Sequence, residues 1–448
     1  MVFSPSRRWG PRPSPSSRRV LVSRNKTSSA GTVTVSRRVL LGSMVSAYAL
    51  AAGGASALAQ GVRGGASTAE WGDSFDAGSR SRATRNTFPV LGPHTVQGLE
   101  QAIGQYQTIV SRGGWRPIPA GERLRIGTRR PAVVLLRDRL MATGDLDSNV
   151  GRSDVFDSFV DTAVRRFQVR HGISPDGQVR ESTFQALNVP AELRLRQLET
   201  NLVRVRAHSG FLGNRYIVLN IPAAQAEAVE NGAVVSRHVA VVGKADRQSP
   251  VISTRVADIN FNPYWTVPAS IIRKDLIPKM QAEPDYLTKN RIRIFNGQGQ
   301  EVAATSINWN SMDAMNYRFR QDPFEGNSMG NVRINIPNAH QVYMHDTPSK
   351  GLFGEDQRFH SSGCARIQNV RELIAWILQG TPWTRSEIDR IFRTVDRVDA
   401  RPLQPVPVYW VYVTAWADPD GMVQFRNDIY LRDGAGAQVA LGQQAQPE

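Results

Sequence analysis

The chain has 448 residues, 41% of them hydrophobic, and a formal net charge of +16. This length gives room for two or three structural units, and the composition is typical of a globular protein and excludes a membrane channel. Residues 1–59 hold nine Lys and Arg and no Asp or Glu, which leaves +7 on the remainder. A modest positive field of that size suits an anionic polymer, so we expect no nucleic acid among the partners.

The first predicted element is an export signal in residues 1–59. The stretch SRRVLLGSMVSAYALAAGGASALAQ, from Ser36, has a charged start, an apolar run and a small-residue end, as cleaved secretory signals have. Arg37 and Arg38 directly precede the apolar run, as in a twin-arginine signal. The run is shorter than the roughly 20 residues of a membrane-spanning helix. We expect a periplasmic or cell-envelope protein with no stable membrane span after cleavage; an uncleaved anchor is the alternative.

A flexible linker and a helical region are predicted next. Residues 60–112 are rich in Gly, Ser, Arg and Thr and weakly patterned, which favours a linker, and residues 113–206 carry helical patterns. Within them, about 131–188 predicts three short helices, the second ending at Gly172. The order AVRRFQVRHGI, turn, TFQAL resembles the small peptidoglycan-binding domain of many cell-wall enzymes. An ordinary helical bundle is the alternative.

The remaining chain predicts a domain made mainly of strands. Short β-branched runs bounded by Pro, Asn and Gly follow Asn214. Helical spacing returns over residues 269–290, within a domain that we expect to span 214–400. Two β runs around Pro419-Asp420-Gly421 predict a C-terminal hairpin over 405–435. The predicted fold class is therefore α+β and multidomain, with a mainly-β domain and a small three-helix domain.

The strongest candidate for chemistry is Cys364, the one cysteine of the chain. Exported proteins commonly use cysteines in disulfide pairs, so a lone thiol is either an inert buried side chain or a reactive one. Acyl transfer through a thiol needs a nucleophile, a base and donors for the oxyanion. Gly363 precedes the thiol, where a backbone without Cβ turns sharply and presents N–H groups. His345, nineteen residues earlier at the end of a β run, is the candidate base.

Strand alternation indicates which neighbouring residues face the same way as His345. Residues two apart share a face of a strand, so Tyr343 points with His345 while Asp346 points away and is rejected as a third catalytic member. Arg366 lies two residues beyond the thiol, where it binds a carboxylate as a fork or favours the thiolate. His360, four residues before the thiol, is the rival base.

The segment from His345 to Ser-Ser-Gly-Cys-Ala-Arg resembles the L,D-transpeptidase catalytic domain of the YkuD type. The chain departs from the common signature, because Ser361-Ser362 stands where many members have Ser/Thr-His. The branch that resembles the periplasmic enzyme YcbB carries Ser-Ser-Gly-Cys. Further segments that look like this branch are NPYWTVP (262–268), PDYL (284–287), FRQDP (319–323) and HDTPSK (345–350).

The resemblance implies a function and a set of site residues. Cys364 is the nucleophile, His345 the general base and acid, and Gly363 an oxyanion N–H donor, while Arg366, Tyr343 and Ser362 contact substrate. The implied reaction forms 3→3 cross-links between peptidoglycan tetrapeptide stems through a thioester, without metal or organic cofactor, and the thiol is a carbapenem target. The resemblance also implies a helical insert near 269–325 that acts as a lid.

Other readings stay open at this point. Water as the acceptor gives a carboxypeptidase or endopeptidase, and a protein acceptor gives a ligase that attaches a lipoprotein to peptidoglycan. A non-enzymatic scaffold that binds peptidoglycan stems and glycan is the remaining alternative.

Overall fold

The described chain begins with helices and continues mainly as strands. The computed structural model describes residues 87–119, 121, 123–208, 210 and 212–434, so the predicted signal of residues 1–59 lies outside the described residues. The helices are α1 (Thr95–Ser111), α2 (Pro131–Ala142), α3 (Ser158–Arg170), α4 (Glu181–Asn188), α5 (Ala191–Arg206), α6 (Ala269–Ile271), α7 (Ile277–Ala282), α8 (Tyr286–Lys289), α9 (Val370–Ile377) and α10 (Arg385–Ile391). The strands are β1 (Arg215–Asn220), β2 (Gln225–Glu230), β3 (Ala233–Gly243), β4 (Ile252–Arg255), β5 (Asp258–Phe261), β6 (Trp265–Thr266), β7 (Ile292–Phe295), β8 (Glu301–Val302), β9 (Arg318–Gln321), β10 (Val332–Asn335), β11 (Met344–His345), β12 (Phe359–Ser361), β13 (Ala365–Ile367), β14 (Val398–Ala400), β15 (Pro407–Val411), β16 (Ala415–Ala417) and β17 (Val423–Phe425).

Helix α1 corrects the linker predicted for 60–112, because the last part of that range is ordered. Leu99, Ala102 and Tyr106 recur at helical spacing on its buried side. They share one hydrophobic cluster with Leu198 and Val205 of α5. The apolar stripe is short and lies among Gly, Gln and Thr, so composition alone favoured a linker.

Helices α2, α3 and α4 form the three-helix unit that the sequence predicts. The Asp157 carboxylate caps α3 by accepting hydrogen bonds from Phe159 N at 3.1 Å and Val160 N at 3.0 Å. At the other end of α3, Arg170 forms a buried ion pair with Asp145, with Nε–Oδ1 at 2.7 Å. Arg170 Nη1 also donates to the Val423 carbonyl at 3.2 Å, which joins this unit to β17.

A large curved sheet carries the rest of the fold and confirms the predicted α+β class. Its strand order is β14-β5-β10-β11-β13-β3-β2-β1-β15-β4, and β12 pairs with β3. Helix α9 packs on one face of the sheet through Leu373, Ile374 and Ile377, which are fully buried. One face of the sheet is therefore committed to the core beneath α9. The opposite face is covered along β1, β2 and β15, where Val218, Val229 and Val411 join the hydrophobic cluster of α1 and α5.

The predicted hairpin over 405–435 is divided in the structure. Strand β15 joins the main sheet between β1 and β4. Only β16 and β17 form the antiparallel pair around Pro419-Asp420-Gly421. The β runs were identified correctly, but a strand's partner is chosen by the sheet edge that it reaches and not by its own residues.

The insert predicted near 269–325 is a mixed unit and not a helical one. Helical turns run from α6 through a π-helical turn, Ile272–Leu276, to α8. A separate sheet of order β6-β9-β7-β8 completes the unit, which has its own hydrophobic cluster around Phe319 and Leu276. Across the described part of the chain, every helix is too short or too polar to cross a membrane.

Candidate active site

Cys364 directly precedes β13, at the end of the tight loop that leaves β12. Its thiol is half-buried, and its carbonyl accepts a hydrogen bond from Ser361 Oγ at 2.6 Å. Gly363 before it has φ +114°, a conformation that residues with a Cβ rarely adopt. The loop therefore requires glycine at this position to turn the chain and leave the thiol at the sheet surface.

The strand register sets which side chains surround the thiol. β11 pairs with β10 and β13, with Arg333 opposite His345 and His345 opposite Arg366. The adjacent row, Ile334, Met344 and Ala365, is fully buried in the core. Because side chains alternate along a strand, the first row lies on the opposite face of the sheet from the core, together with Tyr343 and Cys364.

Burial and polar neighbours shift the pKa of the Cys364 thiol in opposite directions. Burial raises the pKa of Cys364 to about 11. The backbone N–H and hydroxyl of Tyr343, and the charges of Arg333 and Arg366, oppose this by favouring the thiolate. Arg366 thus acts in the direction that the sequence suggested, but desolvation is the larger effect. The resting nucleophile is therefore a protonated thiol.

His345 is buried and held neutral. Burial, followed by the nearby Arg366 charge, lowers its pKa to about 4. The backbone groups of Asp346 and Met329 act the other way. Nδ1 is buried without a hydrogen-bond partner among the described residues. A neutral imidazole is the form that accepts a proton, so the residue is in the protonation state that a general base needs.

The other two acid–base candidates are engaged elsewhere. The Asp346 carboxylate forms an ion pair with Lys350 and accepts a hydrogen bond from Asn331 N at 3.1 Å, so it is directed away from the thiol, as alternation predicted. His360 Nε2 lies 2.7 Å from Glu355 Oε2 and 2.8 Å from the Gln357 carbonyl. These contacts hold His360 within its own loop, which favours His345 as the base.

Backbone N–H groups beside the thiol differ in their availability. Gly363 N donates to Ser361 Oγ at 3.1 Å, so a role as oxyanion donor requires that bond to break. The N–H groups of Ser362 and Cys364 meet no acceptor among the described residues. The Gly363 carbonyl is fixed by Ser249 Oγ at 2.8 Å. The loop is thus held from its carbonyl side while the two neighbouring N–H groups stay free.

The insert touches the site at two points. Arg247 Nη1 donates to Ser362 Oγ at 3.0 Å and to Asp275 Oδ2 at 2.5 Å, which links the nucleophile loop to the π-helical turn of the insert. We call this the Arg247 bridge. Trp265 of β6 forms a hydrogen bond with the Tyr343 hydroxyl that favours the tyrosinate, although burial dominates and raises the pKa of Tyr343.

Two arginines of this site were not identified from the sequence. Arg333 stands at an outward position of β10, where Val332 and Ile334 point to the core, so strand alternation applied to this run would have found it. Arg247 lies between β3 and β4 with no periodic signal around it. Only the tertiary structure brings Arg247 next to Ser362.

Among the described residues, no group of three or more His, Cys, Asp or Glu is arranged to hold a metal ion. The side chains around the thiol are instead aromatic, imidazole and guanidinium groups. They suit binding of an anionic peptide and acyl transfer to sulfur.

Comparison with protein families identifies two parts of the chain. Residues 214–385 match the model of the L,D-transpeptidase catalytic domain. Residues 129–187 match the model named "Putative peptidoglycan binding domain". The first range contains every candidate site residue, and the second covers the three-helix unit.

Two curated relatives match parts of the chain. A Haemophilus influenzae protein named "Putative L,D-transpeptidase" is 32% identical over 238 residues, which cover 53% of this chain and 48% of that protein. The Mycobacterium tuberculosis protein "N-acetylmuramoyl-L-alanine amidase CwlM" is 41% identical over 75 residues, 15% of this chain and 18% of that protein. The chain thus spans about half the length of the Haemophilus influenzae protein and less than a fifth of the Mycobacterium tuberculosis protein.

The solved structures that match the chain are distant from it in sequence. An L,D-transpeptidase from Xylanimonas cellulosilytica is 13% identical, with a TM-score of 0.19, and the match covers 65% of this chain and 98% of that one. An L,D-transpeptidase from Stackebrandtia nassauensis is 11% identical, with a TM-score of 0.22, and the match covers 66% and 96%.

Proposed function

We propose that this chain, whose residues 214–385 are an L,D-transpeptidase catalytic domain, forms 3→3 cross-links in peptidoglycan through a Cys364 thioester. The observation that carries the proposal is the row of outward side chains on β10, β11 and β13, which places a neutral imidazole and two guanidinium groups on the same face of the sheet as the thiol. We further propose that the chain belongs to the YcbB-like branch, because Ser361-Ser362-Gly363-Cys364 and a folded insert occur together.

The protonation states support a stepwise account of acylation. The Cys364 sulfur attacks the carbonyl of the third residue of a tetrapeptide stem, and its proton passes to the neutral His345 imidazole as the S–C bond forms. The imidazolium then gives that proton to the departing amine of the fourth residue, D-Ala, as the C–N bond breaks. A thiol pKa of about 11 and an imidazole pKa of about 4 favour proton transfer during attack over a preformed ion pair.

The second half of the reaction regenerates the thiol. The side-chain amine of a diamino acid in another stem attacks the thioester, loses a proton to His345 and expels the sulfur, which recovers the proton. The free N–H groups of Ser362 and Cys364 are suited to stabilise the oxyanion in both halves. Tyr343 and Arg366 contact the substrate beside the thiol.

The insert supports transfer to an amine over hydrolysis. Through the Arg247 bridge it is attached to the nucleophile loop, where it limits the access of water to the thioester. Water as the acceptor gives a carboxypeptidase or endopeptidase, and a protein amine gives lipoprotein attachment. These are alternative outcomes of the test below.

Residues 131–188 are proposed to hold the enzyme on peptidoglycan, which requires export to the periplasm or cell envelope, with the twin-arginine route expected from Arg37-Arg38. Deletion of these residues should weaken cosedimentation with purified sacculi more than it slows chemistry at the thiol. Equal sacculus binding by the shortened chain would contradict the binding role.

The decisive experiment incubates the purified protein with a disaccharide-tetrapeptide and follows the products by mass spectrometry. A cross-linked dimer that has lost D-Ala supports the proposal, a trimmed monomer indicates hydrolysis, and no change for the folded protein contradicts an enzymatic role. Cys364→Ala should abolish both the dimer and the covalent carbapenem adduct. His345→Ala should cripple acylation while His360→Ala should not, and the reverse result would assign the base to His360.

A further inference from the structure

Two arginines flank the imidazole in one row across three strands. Arg333 on β10 is opposite His345 on β11, which is opposite Arg366 on β13. Neighbouring strands lie about 4.8 Å apart, so the two arginine Cα atoms are about 10 Å apart. An arginine side chain is long enough to reach over the strand between them, so both guanidinium groups can contact one ligand above His345.

Neither guanidinium forms an ion pair within the described part of the chain. The Nε atoms of both arginines are buried and have no hydrogen-bond partner there. Arg333 donates from Nη2 to Asn335 Oδ1 at 3.0 Å and lies 4.9 Å from the Tyr343 ring, which fixes its direction along the face. An ionised Cys364 is the one charge that would favour protonated Arg366, and the resting thiol is protonated. Half-buried charges are normally paired, so two guanidinium groups with no ion pair among the described residues are suited to bind an anionic ligand.

We propose that Arg333 and Arg366 together bind a carboxylate of the donor peptide, and that Arg333 is a specificity-determining residue of the site. Guanidinium groups bind carboxylates as planar forks, with two parallel N–H···O bonds, so a pair of them selects a free carboxylate over an amide. This inference rests on the proposed function for the identity of the peptide. The claim that the two guanidinium groups bind an anion rests on the side chains alone.

The position of the pair identifies the carboxylate. Cys364 directly precedes β13 and Arg366 is the second residue of that strand, so the two lie about 7 Å apart along the direction of the chain. In a tetrapeptide stem, the terminal carboxylate lies one residue, about 3.8 Å, beyond the attacked carbonyl. A carboxylate at that distance from the sulfur lies between the thiol and the guanidinium groups. The pair therefore binds the C-terminal carboxylate of the residue that leaves.

The first test uses the thiol as a probe and needs no turnover. Cys364 is alkylated at one pH with anionic iodoacetate and with neutral iodoacetamide, and the ratio of the two rates is compared. The thiolate fraction cancels in this ratio, so it reports the local field. We expect Arg333→Gln and Arg366→Gln each to lower the ratio about three- to tenfold, and Arg333→Lys to retain it.

Arg255, an exposed arginine on the edge strand β4, provides the matched control, and Arg255→Gln should leave the ratio unchanged. Variants are compared only if circular dichroism shows a native melting transition, since an unfolded chain also loses the field. An unchanged ratio in folded Arg333→Gln overturns the inference.

The second test compares donor tetrapeptides that end in D-Ala and in D-Ala amide. The native protein should prefer the free acid, and Arg333→Gln should lose at least tenfold of that preference, measured as the ratio of kcat/KM for the two peptides, with most of the loss in the KM of the free acid. Arg333→Lys should restore part of the preference, because it returns charge without the fork. If the acid preference survives in Arg333→Gln, the inference fails while the proposed function stands. If the native protein acts on neither peptide, the proposed function fails, and the alkylation ratio alone then decides whether the pair binds anions.

Discussion

The pH dependence of Cys364 reactivity provides a direct measure of how the fold treats its nucleophile. Burial raises the thiol pKa to about 11, compared with an ordinary value of 9.0. At neutral pH the folded protein therefore carries about a hundredfold less thiolate than the unfolded chain, since each pKa unit is a factor of ten. We expect the alkylation rate of the native protein to keep rising above pH 9, where the rate of the unfolded chain levels off.

Iodoacetamide labelling followed by intact mass measures this rate between pH 7 and the onset of alkaline unfolding. Because the chain has one cysteine, every added mass reports Cys364. The same protein in concentrated urea is the matched control, with the same thiol and without the fold. Steric shielding lowers the native rate at all pH values but does not move the midpoint, so the midpoint separates electrostatics from access.

A native midpoint at or below that of the unfolded chain would refute the reasoning. It would mean that Tyr343, Arg333 and Arg366 outweigh desolvation and that the thiolate is preformed. The raised thiol pKa also makes the stability of the folded protein depend on pH. The folded state holds the thiol proton more tightly, so this group's contribution to stability is present below pH 9 and is lost as the pH rises towards 11.

Two further predictions concern stability and the insert. Asp145→Ala should lower the free energy of urea-induced unfolding by about 3–5 kcal/mol, because it leaves the buried Arg170 charge unpaired. The control Asp138→Ala, which breaks an exposed ion pair, should change this free energy by less than about 1 kcal/mol. Equal losses in the two variants would contradict the difference expected between a buried and an exposed ion pair. Asp275→Ala should speed hydrogen exchange of the insert amides over 269–282 about fivefold, corresponding to about 1 kcal/mol for the part-exposed Arg247 bridge. Exchange rates equal to those of the native protein would show that the bridge does not hold the insert.

Much of the site follows from local rules of the sequence. A lone cysteine after glycine, a histidine at the end of a β run and period-two alternation selected Cys364 and His345 as candidates for nucleophile and base, and they argued against Asp346. The three helices of residues 131–188 were also predicted, because their turns contain Gly and Pro at positions that few other residues tolerate. These inferences depend only on residues close together in the chain.

Other features were decided by tertiary structure. The sequence shows that β15 is a strand, but its place between β1 and β4 depends on which sheet edge is open. Desolvation, which raises the pKa of Cys364 and lowers that of His345, is the sum of many distant side chains. The meeting of Arg333 with Arg366 depends on strand register, and that of Arg247 with Asp275 on a chain crossing.

The sequence by itself determined the chemical identities of the candidate residues, because the proposed nucleophile and base were selected by residue type and by the periodicity of the strand beside each. Tertiary structure alone decided their protonation states and charged neighbours. Electrostatic energies in a protein depend on burial and on distances through space, and sequence separation fixes neither of them.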